Sequence, residues 1–474
     1  MEQREHWGSH MGFIFAAAGS AVGLGNIWKF PYITGENGGG AFVIVYLLCI
    51  LIIGLPVMLA EFTIGRRSQR NPVGAFRAIK PKSKFIIGGY LGVLAGFVIL
   101  SFYSVVGGWT LGYTIKAITT GFAGLGTVEK TSLVYKNFVG DPRNAIFYHM
   151  LFMFINIFIV YQGVKKGIEK WTKILMPMIF IILLVLIIKA LSMEGAMDGV
   201  RFYLTPDFSK LTGNSILIAL GHAFFSLSLG MGAMITYGSY LSKKENLFKS
   251  ALSVSMIDTG IALFAGLAIF PAVFAMGFAP DSGPGLVFHI LPAMFSKMTF
   301  GFFWGFLFFL LLAIAAITSG ISLLEVVTSY FIDELKFSRR AATVIFGVAI
   351  FLLGIPSALS FGALADFKLW NLTFFQIADN LGSNYLLPLG GLLISIFVGW
   401  VWGTKHAVDE IRHGSHNFAD VHLISLMAGL KDDPSHNSDV HVLTLASLWG
   451  IFLRFISPVA ITIAFLFTIG AIKL

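Results

Sequence analysis

The sequence predicts an all-α, polytopic membrane protein of eleven transmembrane helices, arranged as a five-plus-five inverted repeat with helices 1 and 6 unwound. Three observations carry this. Of 474 residues, 56% are hydrophobic and only 12% charged, where a soluble chain averages about 25% charged. Mean hydropathy is +0.82, and the apolar residues fall in blocks of roughly twenty, the length of a helix crossing a bilayer. Two of these blocks, five apart in chain order, carry glycine clusters that ordinary helices avoid.

The apolar runs place helices at 11–34, 41–66, 86–117, 144–163, 167–192, 213–241, 246–277, 296–333, 339–363, 371–404 and 445–472. Lys and Arg concentrate in alternate loops. Arg66, Arg67, Arg70, Arg77, Lys80, Lys82 and Lys84 follow helix 2, Lys165, Lys166 and Lys170 follow helix 4, Lys243 and Lys244 follow helix 6, and Arg339 and Arg340 follow helix 8. By the positive-inside bias the N-terminus is cytoplasmic and, with an odd number of spans, the C-terminus is outside, in the cell (plasma or inner) membrane. The net charge of +9 thus belongs to these loops and is no nucleic-acid footprint. The only cysteine, Cys49, lies inside a span and excludes a disulfide framework. Met11 opens a run too long and glycine-rich for a cleaved signal peptide.

Helix 1 contains Gly19-Ser-Ala-Val-Gly23-Leu-Gly25-Asn26 and helix 6 contains Ser226-Leu-Ser228-Leu-Gly230-Met-Gly232. Glycine inside a helix costs about 1 kcal/mol relative to alanine, so such clusters favour leaving helical geometry. An offset of five reverses a span's direction, and paired Gly-interrupted spans point to a transporter with its site between them. Unwound backbone offers carbonyls to a cation and amides to a carboxylate, aided by half-helix dipoles. The alternative is that small residues permit close helix packing; Asn26 and Ser226 beside the glycines favour a site. The chain divides into repeats 1–192 and 193–404, a His-rich cytoplasmic loop 405–444, and helix 11 at 445–474.

Ionisable groups at membrane depth are costly and usually functional. Asp258 stands alone in helix 7 and needs a proton, a cation or a basic partner; its structural alternative is a buried hydrogen bond. In helix 8, Ala315-Ala-Ile-Thr318-Ser319 offers adjacent hydroxyls suited to a small hard cation, although helical Ser and Thr also bond to their own backbone. Tyr103 precedes Gly107-Gly108-Trp109 in helix 3, and its buried phenol needs a partner. Lys29 and Asp379, near the outer ends of helices 1 and 10, either pair across an entrance or snorkel. Gly167 and Pro177 in helix 5 lower the local cost of unwinding or set a fixed kink.

The chain resembles the neurotransmitter:sodium symporter family, in its bacterial amino-acid transporter branch. The matching text is Arg4-Glu-His-Trp7, Ala18-Gly-Ser-Ala-Val-Gly-Leu-Gly-Asn-Ile-Trp-Lys-Phe-Pro31, Glu36-Asn-Gly-Gly-Gly-Ala-Phe42, Lys166-Gly-Ile-Glu169, Phe224-Phe-Ser-Leu-Ser-Leu-Gly230 and Asp333-Glu-Leu-Lys336. The resemblance implies two sodium ions as cofactors, an amino-acid substrate and a lipid bilayer as partners, and no enzymatic activity. Sodium site 1 would use Ala21, Asn26, Ser226 and Asp258 with the substrate carboxylate. Sodium site 2 would use Gly19, Val22, Ala315, Thr318 and Ser319. The substrate would meet Ala21, Gly25, Tyr103, Phe225 and Ser228 through its charged ends. Its side chain would meet Ile99, Phe225, Met231, Ser319, Gly320 and Leu323. Phe225 and the pair Lys29 and Asp379 would form an outer gate; Arg4 with Asp333, supported by Trp7 and Tyr240, an inner one.

Three choices sharpen the expectation. Gly23 stands where the family's monoamine branch carries aspartate, which favours a substrate bringing its own carboxylate. Asp258 stands where the family usually has asparagine, and the resemblance implies that its fixed charge would do the work chloride does in animal relatives, so transport is expected to be chloride-independent. Lys29 replaces arginine and lacks a bidentate fork, which weakens that gate. Met231 and Gly320 imply a roomy pocket for a hydrophobic or aromatic side chain. The histidines His406, His413, His416, His422, His436 and His441 have no zinc-site spacing; an amphipathic helix at 421–430 in a solvated loop is expected instead. His222, one turn before Ser226, reads as a packing histidine with a capacity to tune pH dependence. No nucleophile–base set supports a membrane enzyme; a non-transporting sensor of the same fold is the alternative that flux measurements separate.

Overall fold

The computed structural model describes residues 4–120, 122, 124–278, 286–415, 418 and 444–472. Among these residues nine helices are each long and apolar enough to cross a bilayer: Gly40–Ser68, Ile86–Thr119, Pro142–Tyr161, Val164–Leu191, Leu247–Ala275, Gly301–Leu335, Arg339–Leu359, Phe374–Arg412 and Leu445–Thr468. In chain order they stand at positions 2, 3, 4, 5, 7, 8, 9, 10 and 11. A further crossing, span 1, is the pair His10–Ala21 and Gly25–Glu36, bent by 50°. At position 6 the chain forms two shorter helices, Gly213–Ser226 and Ala233–Gly238, neither long enough to cross by itself.

Span 8 is the scaffold. It packs along span 3 and also against spans 1, 4, 5 and 9, and 83% of its most apolar stretch is buried. Small residues let its neighbours approach one another closely: a Cβ on Gly108 in span 3 would sit 2.7 Å from the Tyr148 carbonyl carbon in span 4, and one on Gly354 in span 9 2.3 Å from the Ser101 oxygen in span 3. Lipid-facing positions carry exposed Ile181, Ile188, Met256 and Leu352, since apolar surface has no cost against acyl chains.

Three helices that hydropathy did not predict, Val128–Gly140, Ala196–Leu204 and Leu286–Lys297, lie between spans. The last separates from span 8 at Phe300, which adopts φ 56°, so that span starts at Gly301 and not at 296. Span 10 continues beyond 404: after Gly403 (φ 91°) the helix Thr404–Arg412 buries Ala407, Glu410 and Ile411 and exposes its polar face. The expected amphipathic helix at 421–430 lies outside the described residues.

That extension is anchored by a buried ion pair. Arg66, at the end of span 2, meets the Glu410 carboxylate at 2.9 Å, with side-chain exposures of 0% and 1%. It also donates to the carbonyls of Glu245, at 2.7 Å, and of Glu410. Removing one member strands a buried charge, a loss of about 3–5 kcal/mol. Glu410→Ala is expected to lower the melting temperature in detergent markedly, while Arg66→Met combined with Glu410→Leu restores most of it. Equal melting for wild type and Glu410→Ala would contradict a structural role for the pair.

Candidate functional site

The first half of span 1 ends where the Val22 amide donates to the Ala18 carbonyl at 2.7 Å and Val22 turns to ψ 108°. Helix resumes at Gly25 with a π turn over Gly25–Lys29. Span 6 stops at Ser226, and its link Leu227–Gly232 holds Ser228, Gly230 and Gly232 at φ 53°, 79° and 76°. Glycine adopts such angles without steric cost, which is why the cluster marks the break.

The freed groups find partners across the gap. The Ser20 carbonyl accepts from the hydroxyls of Ser228 at 2.7 Å and Ser319 at 3.2 Å. The Val22 carbonyl accepts from Ser319 at 3.1 Å and Thr318 at 3.4 Å. The Leu24 amide donates to the Tyr103 hydroxyl at 3.3 Å, and the Gly230 amide donates to Glu61 at 2.8 Å. Thr318 also bonds the Ala315 carbonyl at 3.0 Å. Gly19 lets span 1 approach, since a Cβ there would lie 3.2 Å from Thr318 and 3.3 Å from the Met176 sulfur. Val22, Ala315, Thr318 and Ser319 are thus an oxygen-rich group between spans 1 and 8, with Gly19 against Thr318.

A second cluster joins spans 1, 6 and 7. Asn26 Nδ2 donates to Asp258 Oδ1 at 2.7 Å and to Ser226 Oγ at 3.1 Å, and Ser226 donates to Asp258 Oδ2 at 2.9 Å. Asn26 Oδ1 caps the Gly23 amide at 3.0 Å. Tyr46 in span 2 adds a hydroxyl 3.3 Å from Ser226. Asn26, Ser226 and Asp258 are buried. Oxygen donors of this kind suit a hard cation.

Between the clusters lies a cavity of about 20 Å³ lined by Ala21, Gly25, Ile99, Tyr103, Phe225, Ser228, Met231, Ser319 and Leu323 among others. Gly320 is not among its walls; a Cβ there would meet Asn156 Oδ1 at 2.6 Å, in span 4. Gly320 therefore admits a neighbouring helix where the sequence reading had it open the pocket. Lys29 lies over the Phe225 ring, 4.9 Å from its centroid, and Asp379 accepts from Ser383 at 2.7 Å. Among the described residues Lys29 and Asp379 form no ion pair, so the expected bridge is open. Beside them is a larger cavity of about 330 Å³, lined by Lys29, Glu36, His222, Phe225 and Asn384 among others.

The opposite, N-terminal face is laced by ion pairs and hydrogen bonds beside a cavity of about 570 Å³ whose walls include Arg4, Tyr240, Ser329, Asp333 and Arg339. Arg4 pairs with Asp333 at 2.5 Å and donates to Ser239 at 2.6 Å. Trp7 donates its indole to the Tyr237 carbonyl at 3.0 Å, and its amide to the Tyr240 carbonyl at 3.4 Å. Sequence reasoning missed the rest of this network. Tyr240 donates to buried Glu325 at 2.5 Å, and Arg339 clamps that carboxylate at 2.7 and 3.0 Å. Glu61 was missed as well. Both were legible only as lone acids in apolar runs.

With this geometry in view, the comparisons converge. The model of the Sodium:neurotransmitter symporter family matches residues 4–127 and 129–430. An uncharacterized sodium-dependent transporter, YhdH, of Bacillus subtilis (strain 168) is 41% identical over 98% of both chains. An uncharacterized sodium-dependent transporter of Haemophilus influenzae is 37% identical, again over 98% of each. The crystal structure of MhsT in complex with L-phenylalanine is 46% identical, covering 98% of this chain and 99% of that one, with a TM-score of 0.84. The chain belongs to the sodium:neurotransmitter symporter family: it is a multi-pass membrane transporter of a sodium-dependent family, and no enzyme.

A Cβ on Gly23 would sit 2.5 Å from Ser319 Oγ and 2.9 Å from the Tyr103 hydroxyl. Such overpacking costs about 1–3 kcal/mol, so Gly23→Ala is expected to cut sodium-dependent transport by roughly tenfold or more at unchanged membrane expression; undiminished transport would contradict the geometry. Arg4→Ala removes a pair that closes the N-terminal face. In a Cys49→Ser background, a cysteine at buried Ser329 is expected to react several-fold faster with a polar thiol reagent once Arg4 is replaced.

Proposed function

We propose that the chain is a sodium-coupled importer of a neutral amino acid with a hydrophobic or aromatic side chain, working by alternating access and without chloride. The observation that carries this reading is the meeting of two interrupted spans. Asn26, Ser226 and Asp258 converge beside the second half of span 1, whose first amides and the Tyr103 hydroxyl face the same small cavity. A helix N-terminus favours a carboxylate, and the Ser20, Ala21 and Phe225 region offers carbonyls to an ammonium group.

One sodium ion would be held by Ala21, Asn26, Ser226 and Asp258 with the substrate carboxylate. Turning the Asn26 amide would bring Oδ1 in place of Nδ2. A second would be held by Gly19, Val22, Ala315, Thr318 and Ser319. Asp258 would supply the negative charge that an anion otherwise provides. Met231, between two glycines of positive φ, is an adaptable wall, and the similar MhsT was crystallised with L-phenylalanine. Closed at Arg4 and Asp333 and open at Lys29 and Asp379, the arrangement reads as outward-facing, with a cytoplasmic N-terminus, an external C-terminus and repeats 1–192 and 193–404. Sodium would favour this state by binding it more tightly than the other, the only way a ligand shifts such an equilibrium.

Purified protein in liposomes, screened against the twenty amino acids, tests the reading. Accumulation of large apolar amino acids is expected with an inward sodium gradient and not with potassium. It is expected to persist when gluconate replaces chloride and to fall by roughly tenfold or more, the effect of losing a charged or ion-holding group, in Asp258→Ala and Ser319→Ala. Accumulation indifferent to sodium would overturn the coupling. Sodium-dependent binding without any flux would favour a sensor of the same fold.

A further inference from the structure

The extension of span 10 beyond Gly403 forms one wall of a groove apart from the interrupted spans. A cavity of about 500 Å³ lies between the helix Thr404–Arg412 and the start of span 11, and its walls include Thr404, Lys405, Asp409, Arg412, Ser447 and Arg454. Three cations and two hydroxyls thus face one acid. It lies at the end of the molecule where Glu410, on the same helix, binds Arg66, the end at which Lys and Arg crowd the loops.

Arg454 is the informative residue. It is the single charged side chain of Leu445–Thr468, placed among apolar neighbours where a charge is expensive. Its Nε donates to the Gly399 carbonyl at 3.0 Å, and its guanidinium carbon lies 5.9 Å from the Trp400 ring centroid. Trp400, 58% exposed, donates its indole to the Arg454 carbonyl at 3.1 Å. A tryptophan so placed belongs to the belt at headgroup depth. Nε is thus fixed while the two terminal nitrogens of the exposed guanidinium make no hydrogen bond among the described residues. Lys405 is exposed above it on the polar face of its helix. Span 11 presents a lateral face to the groove, its N-terminal turn closed by a capping box of Thr444 and Ser447.

We propose that this groove binds the phosphate of an anionic phospholipid from the leaflet on the N-terminal side. Arg454 engages the phosphodiester from within the apolar layer. Lys405 meets the headgroup from the aqueous side, and the acyl chains lie along spans 10 and 11. Basic pockets between helices at this depth select anionic headgroups. The lipid would brace Thr404–Arg412 against span 11, joining the chain's last span to the element that Arg66 anchors.

The test uses the detergent-purified full chain, incubated with phosphatidylglycerol, with phosphatidylcholine of the same acyl chains, or with inorganic phosphate, followed by mass spectrometry of the intact protein. Wild type is expected to retain phosphatidylglycerol in several-fold preference to phosphatidylcholine. The preference is expected to drop by about fivefold on removal of one cation, to near parity, in Arg454→Gln and separately in Lys405→Gln. Lys405→Gln changes one exposed side chain on the polar face of its helix, so its loss of preference separates headgroup binding from a folding defect. Equal retention of the two lipids by wild type, or a preference that survives both variants, overturns the proposal. So does a thermal stabilisation by inorganic phosphate equal to that by phosphatidylglycerol, which would mark a free-anion site.

Discussion

Inside hydrocarbon an amide has no water to pair with, so any residue that leaves a helix must find a partner from another span. Span 1 leaves its helix at Val22 and span 6 at Leu227, and the groups released would each cost several kcal/mol if left alone. Each break draws on different spans for its partners. The Ser20 carbonyl depends on Ser228 and Ser319, the Leu24 amide on Tyr103, and the Gly230 amide on Glu61. Spans 2, 3 and 8 are thereby committed to positions from which they hold the breaks, and span 8 earns its central burial in this way.

Such an arrangement favours two states over one. The partners of the breaks are side-chain hydroxyls and carboxylates that rotate, while the helices behind them are long and closely packed. On the proposed reading, a hydroxyl that now satisfies a carbonyl would turn to share that carbonyl with a cation, and the same groups would serve both an empty and a filled arrangement. Closure of the N-terminal face rests on a different set, the chain Arg4–Asp333 and Tyr240–Glu325–Arg339. These two sets meet in span 8, which carries Ser319, Glu325 and Asp333 on one continuous helix. One continuous helix thus joins the breaks to the ion pairs at the end.

Much of this was legible in the sequence because it is local. Apolar run lengths located the spans to within a few residues, and the glycine clusters marked the breaks. What escaped depends on pairing between distant positions. Glu61 lies 169 residues from the amide it accepts from, and a lone acid in an apolar run names no partner. The polar stretch Thr404–Arg412 read as loop because its helix is amphipathic and held by Arg66, 344 residues away. Gly320 was placed in a pocket wall by the family resemblance, whereas its missing side chain makes room for Asn156. Position left Lys29 and Asp379 either pairing or snorkelling and the resemblance implied a pair; in this arrangement Lys29 rests on the Phe225 ring.

The central claim is that the backbone of residues 22–26 and 227–232 is interrupted and gripped by ligands as well as by side chains. Hydrogen–deuterium exchange of these amides, in potassium and then in sodium with a large apolar amino acid at equal ionic strength, addresses it directly. The account predicts faster exchange in these two segments than in the flanking helix halves in potassium, and strong protection of both on adding sodium and substrate. Exchange as slow as that of the flanking helices in both conditions would mean continuous helix, and would contradict it.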